Sequence, residues 1–173
     1  MCSSDLFPSH DMSNMRTYKF KLYNSKKNKK LQHQLWVASK VYNHCIALHK
    51  RYWHLYHKSL GRYQLQNYLA RLKKTKKYQY WQDIPAHAIQ DVNNRIDNGY
   101  KLFWSNLKRK KKTAPPKFKS WRKYRSFSYD MVGKGIIKGN TIKIAKNKYK
   151  FFKSREVEGK IKVLTVKRDA CVS

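Results

Sequence analysis

The chain has 173 residues, with 41 Lys and Arg against 9 Asp and Glu and a formal net charge of +32. A polyanion is the natural partner of that charge, while 40% hydrophobic and 14% aromatic content is too apolar for a disordered basic tail. The longest apolar run is about four residues, Leu35 to Ala38, too short to span a membrane.

Residues 1–15 carry two Asp and no Lys or Arg, lack the charged and apolar regions of a signal peptide, and read as a tail apart from the fold. Cys2, Cys45 and Cys171 are too scattered for a disulfide framework, so a reducing cytoplasm is the expected compartment. Residues 16–82 hold seventeen Lys and Arg and no acid, and residues 108–173 hold twenty-two against four acids. Residues 83–107 are nearly neutral, with Asp83, Asp91 and Asp97 against Arg95 and Lys101. A neutral stretch between two basic arms predicts a helix packed among its neighbours.

Tyr18, Phe20 and Leu22 alternate with Thr17, Lys19 and Lys21, which predicts a half-buried first strand within residues 16–24. Asn24 or Ser25 stands where a helix cap is needed. Leu31, Leu35, Ala38, Tyr42, Cys45, His49, Tyr52 and Tyr56 recur at steps of three and four. They predict a long amphipathic helix from about Lys26 to Ser59, stopped by Gly61. Leu65, Tyr68, Leu69 and Leu72 predict a second, shorter helix. Pro85 opens a third, with Ile89, Val92, Ile96, Tyr100, Phe103 and Leu107 on one face.

Pro115-Pro116 ends the helical part, and the period then becomes two. Phe127 and Tyr129 alternate with serines, and Ile136-Ile137 and Ile142/Ile144 flank the turn pair Gly139-Asn140. Tyr149 and Phe151 predict another strand, and Glu158-Gly159 a turn before Ile161 to Lys167. The fold class is α+β. A small barrel-like sheet takes the first strand and four or five strands from residues 113–173, with a three-helix lobe inserted over residues 25–112.

Three basic runs fall at the expected element boundaries: Lys26, Lys27, Lys29 and Lys30; Lys73, Lys74, Lys76 and Lys77; Lys108, Arg109, Lys110, Lys111 and Lys112. Each alone would read as a solvated loop or helix end, but three on one small protein point to phosphate contact. After the prolines, Lys117, Lys119, Arg122, Lys123 and Arg125 interleave with Phe118, Trp121 and Tyr124. The cations suit phosphates, and exposed rings such as Trp121 and Tyr124 would stack on unpaired bases at about 1–3 kcal/mol each. Alternatively, the three rings share a helical face turned to the core and only the cations are wet. On the first helix Arg51 is a further cation, and the rings from Trp36 to Tyr56 read as core. Asn43 beside them either reads a base edge or phosphate, or bonds within the lobe.

Cys45 and His49, four apart, and His54 and His57, three apart, fall short of the roughly four ligands of a zinc site. No CxxC or HExxH is present, so neither metal nor cofactor is expected. Two-metal cleavage of nucleic acid needs converging carboxylates. Asp91 and Asp97 are six apart and point to different helix faces, and Glu156 and Glu158 read as surface charges. With no phosphate-loop or nucleophile motif either, the chain is expected not to be an enzyme.

The order of these features resembles the N-terminal portion of TnpB, the OrfB-type transposon protein. Tyr18-Lys19-Phe20-Lys21-Leu22-Tyr23 resembles the family's opening strand, and Val41-Tyr42-Asn43-His44-Cys45-Ile46-Ala47 its first recognition-lobe helix. Pro116-Lys117-Phe118-Lys119 resembles its return from helices to strands. Ser126-Phe127-Ser128-Tyr129 and the run Glu158 to Arg168 resemble the strands that follow. The likeness covers about Met15 to Asp169.

The resemblance implies a wedge-type β-barrel with an inserted, helix-turn-helix-like recognition lobe. It also implies binding of structured transposon-end RNA, of duplex DNA, or of both, beside the nucleoid of a prokaryote. Full-length members are RNA-guided, Mg-dependent DNA endonucleases with a RuvC-like domain and a zinc ribbon, and neither has a counterpart here. The expectation is therefore a truncated member that binds without catalysis. The alternatives are one half of a split nuclease, completed by a separate polypeptide, and an unrelated basic RNA-binding protein.

Overall fold

The computed structural model describes residues 16–130, 136–144, 147–159 and 161–168, so the expected tail, Cys2 and Cys171 lie outside it. The helices are α1 (Asn28–Tyr56), α2 (Arg62–Leu72), a 3-10 helix (Lys76–Asp83) and α3 (Ala86–Lys108). The strands are β1 (Ser126–Asp130), β2 (Ile137–Lys138), β3 (Thr141–Ile144), β4 (Asn147–Lys150) and β5 (Val163–Lys167). The class is α+β. Among the described residues the strands form two small antiparallel sheets, β1-β5 and β2-β3-β4, with no closed barrel.

The expected first strand is reduced to one bridge. Tyr18, Phe20 and Leu22 are half-buried and Thr17, Lys19 and Lys21 exposed, as the alternation requires. Pairing is confined to Leu22 opposite Phe151, where Tyr23 N–H reaches the Lys150 carbonyl at 3.0 Å and Phe152 N–H the Lys21 carbonyl at 2.8 Å. Ring contacts, Phe20 on Phe151 and Tyr23 on Phe152, hold the rest of this segment.

The stripe of α1 is buried from Leu31 through Leu35, Ala38, Tyr42 and Cys45 to His49. Its last two members leave the core: Tyr52 is half-buried and Tyr56 exposed. Gly61 does not stop α1. His57 does, in the left-handed region at φ 49°, with its N–H on the Trp53 carbonyl at 2.8 Å. Gly61 begins α2 instead, where Leu65 and Leu69 face the core. At the start of α1, Ser25 Oγ accepts the Lys27 N–H at 3.2 Å, but this lies in the turn before the helix: the residue preceding α1 is Lys27, and no side chain caps it, so the expected Asn24 or Ser25 cap is not formed.

Pro85 precedes α3, whose Ala88, Ile89, Val92 and Ile96 are buried. Tyr100 and Phe103 are half-buried and Leu107 is exposed, so the near-neutral helix is core only in its first half. Its end is set by Lys110, left-handed at φ 54°, well before Pro115. The 3-10 helix was not legible: its rings at 78, 80 and 81 follow neither period. Trp81 is nonetheless among the most buried side chains, packed on Tyr78 and His44.

α1 and α3 lie side by side in the same direction. His49 stacks on Tyr100 at 4.6 Å and Trp53 meets Trp104 at 5.2 Å, and just ahead of α3 His33 meets Asp83 at the end of the 3-10 helix at 3.0 Å, a constant offset of about fifty residues. Arg95 fastens α3 to the β1-β5 sheet. Its Nε pairs with Asp91 at 2.8 Å, Nη1 donates to the Ser126 carbonyl at 2.9 Å, and Nη2 to Ser128 Oγ at 3.1 Å. Asp91 also accepts the Ser128 N–H at 2.9 Å. The Gly139-Asn140 hairpin forms as expected: Gly139 has φ 54° and Lys138 pairs with Thr141.

Burial holds two histidines below their ordinary value of 6.5: His44, with Lys77 adding to the effect, and His49, where Asp97 opposes it. Both are neutral in the fold, whereas the unfolded chain takes up these protons as pH falls through about 6.5. Their contribution to stability is therefore full above that value and declines below it. Thermal melts should show a midpoint that drops between about pH 7.5 and about pH 5. A His44→Phe, His49→Phe double variant should show a flatter profile, and an equally steep drop would assign the effect elsewhere.

Candidate nucleic-acid interface

Residues 109–120 return from α3 without regular structure. Lys110 ends α3, Pro115-Pro116 then keeps a helix from resuming, and Pro116 lies against α3 at Gly99. A Cβ at Gly99 would stand 3.0 Å from the Pro116 ring, so the glycine admits this close approach.

The next segment is pinned to α1. Tyr42 Oη donates to the Lys117 carbonyl at 3.2 Å. Asn43 clasps Lys119 twice, donating from Nδ2 to its carbonyl at 2.8 Å and accepting its N–H on Oδ1 at 2.9 Å. A turn follows, with Lys123 and Tyr124 N–H on the Ser120 carbonyl. Arg168, just past β5, donates to the carbonyls of Trp121 at 3.1 Å and Arg122 at 2.7 Å. Held at these points, the strap presents Lys117, Lys119, Arg122, Lys123 and Arg125 to solvent.

The three rings do not share a face, because the strap is not helical. Tyr124 is 4% exposed and packs on Tyr42 at 5.6 Å. Its expected role as a base-stacking ring is therefore corrected: the turn at Ser120 folds it under α1. Burial pushes its hydroxyl pKa up, so it stays neutral. Trp121 (48%) and Phe118 (53%) point outward. Each carries a cation on its ring, Arg168 at 4.8 Å from Trp121 and Lys50 at 4.5 Å from Phe118. Asn43 is corrected too: its amide is spent on the Lys119 backbone, so it positions the strap rather than reading a base. The stripe Trp36 to Tyr56 is only partly core, since Trp53 and Tyr56 are exposed.

The basic runs do not form one patch. Lys26, Lys27, Lys29 and Lys30 are exposed around the start of α1. Lys74, Lys76 and Lys77 are exposed beside the 3-10 helix, with Lys73 half-buried. Lys108 to Lys112 are exposed at the other end of α3, and Arg51 is exposed on the last turns of α1. α1 has 29 residues, a length of about 43 Å, which separates the run at its start from the run at the end of α3, while the run beside the 3-10 helix lies near mid-length, where Tyr78 packs on His44. Among the described residues the five ion pairs engage Asp83, Asp91, Asp97, Glu156 and Glu158, none with a cation of the strap.

Phe118 is marked in the sequence by its place in the interleaved segment, whereas Lys50 and Arg168 are not marked as contact residues. Arg168 is not, because its neighbours on the strap are distant in sequence. Cys45 is buried with its thiol pushed up to about 12, and His49 lies against Tyr100. Among the described residues no three His, Cys, Asp or Glu converge. Among them, too, no helix is long and apolar enough to cross a membrane. Compared with known proteins, the chain matches no family model and no curated protein.

Proposed function

We propose that the chain is a nucleic-acid-binding module of a TnpB-like transposon protein, gripping guide-type RNA or DNA by its backbone and performing no catalysis of its own. The observation that carries the binding is the strap over residues 117–125. Five exposed cations project from a backbone fixed by Asn43, Tyr42 and Arg168, with no acid among their ion-pair partners in the described residues. A row of cations on a fixed backbone gives up side-chain freedom but little backbone freedom on meeting a row of phosphates.

The TnpB-like part is supported by the order of elements. The Leu22–Phe151 bridge sets the opening segment beside the later strands, and three α-helices lie between them in the chain. In this reading the bridge and the two sheets are portions of a wedge-type barrel, and the helices are its inserted recognition lobe.

The test is salt dependence. If about eight phosphates are neutralised, the affinity for a labelled duplex should fall with a log–log salt slope near −7. A complex indifferent to salt, or no complex at low salt, would overturn the binding reading.

A further inference from the structure

The exposed large apolar side chains are not scattered. Of eleven among the described residues, five lie on the last turns of α1 and α3; Trp53, Tyr56 and Leu107 fall on the helix faces that carry the Trp53–Trp104 contact, whereas Leu55 and Leu102, each two residues from a tryptophan, fall on the far sides. The last buried residue is His49 on α1 and Ile96 on α3, so both helices run on beyond the core. Clusters of this kind mark interaction surfaces.

The chemistry of this end narrows the partner. Trp53 is 45% exposed and its ring lies 5.2 Å from that of Trp104. Tyr52 and Tyr56 form a second ring pair at 4.8 Å. Around them stand Lys50, Arg51 and Lys58 from α1 and its end, and Lys101, Lys108 and Arg109 from α3 and its end. The acid on this stretch, Asp97, is already paired with Lys101 at 2.8 Å. Lys50 reaches Phe118 of the strap, so the ring cluster adjoins the cationic row. A purely apolar partner would leave these cations uncompensated, whereas an unpaired nucleotide brings a π face and a phosphate together.

We propose that the paired ends of α1 and α3 take unpaired nucleobases, stacked on Trp53 and Trp104, from the same strand whose phosphates the strap holds. The inference rests on the nucleic-acid reading above and adds to it a preference for single-stranded segments.

The test uses the full chain with two probes, a labelled oligouridylate and a blunt RNA duplex, each about the site size of one small module. Trp53→Leu and Trp104→Leu should each weaken oligouridylate binding about fivefold or more. Duplex affinity and the salt slope should be unchanged. Trp53→Phe, which keeps a ring, should retain most of the single-strand affinity, and melting curves would confirm that all variants are folded.

Loss of oligouridylate and duplex binding alike, or of neither, would overturn the inference while a steep salt slope left the nucleic-acid reading standing. No salt-dependent binding of either probe by the unchanged chain would overturn both. Binding to anionic phospholipid vesicles that Trp53→Leu abolishes, with oligouridylate affinity intact, would assign the cluster to a membrane surface and overturn it too.

Discussion

The quadruple variant Lys117→Ala, Lys119→Ala, Arg122→Ala, Lys123→Ala is expected to bind nucleic acid about a thousandfold more weakly than the parent at about 0.15 M salt. Each phosphate contact releases about 0.9 of a counterion, which at that salt is a factor of about five in affinity. Four contacts multiply to the stated loss, and the log–log salt slope should flatten by about four units. These side chains lie outside the core, and the bonds that pin the strap use backbone atoms of Lys117 and Lys119. The variant should therefore melt close to the parent. A matched variant with four alanines in the run Lys73 to Lys77 should lose less, because that run includes a half-buried lysine. Equal losses in the two variants would mean diffuse attraction to the whole surface.

Arg95→Met is the substitution expected to cost most stability outside the apolar core, about 2–3 kcal/mol. It strands the Asp91 carboxylate, whose side chain is 14% exposed, with the Ser128 N–H still bound to it. It also removes the donors that join α3 to Ser126 and Ser128 of β1. A fully buried pair would cost more, but Arg95 is 35% exposed, and water screens part of the interaction. Adding Asp91→Asn should recover part of the loss, because a neutral amide is cheaper to leave there than a charge. Urea unfolding of the parent, both single variants and the double variant would measure the coupling. An Arg95→Met variant within about 0.5 kcal/mol of the parent would show that the network carries no net stability.

The substitutions bear on different links between sequence and structure. The strap's cations are a property of composition and were legible at once. The Arg95 network was not: Arg95 and Asp91 are four apart on a helix, which suggests a pair. Nothing local shows that Ser126 and Ser128, on a strand, complete it. The helices were readable because an amphipathic helix repeats its apolar side every three or four residues. Their ends were less so. His57 and Lys110 adopt left-handed conformations that sequence reserves first for glycine, and Gly61 drew attention to the wrong place.

Local sequence determined the charge, the class and most elements: periods of two and 3.6 are properties of the backbone, and Gly139-Asn140 suits a tight turn in any protein. Tertiary structure decided what each ring and amide of the candidate site does. Phe118, Trp121 and Tyr124 are spaced as if on one helical face. Asn43 and Arg168 instead hold the strap in a turn that buries Tyr124 and leaves Phe118 and Trp121 in water. Asn43 lies 76 residues from Lys119. No local pattern encodes a contact of that span, because its free energy arises only when packing of α1 against the returning chain has brought the two together.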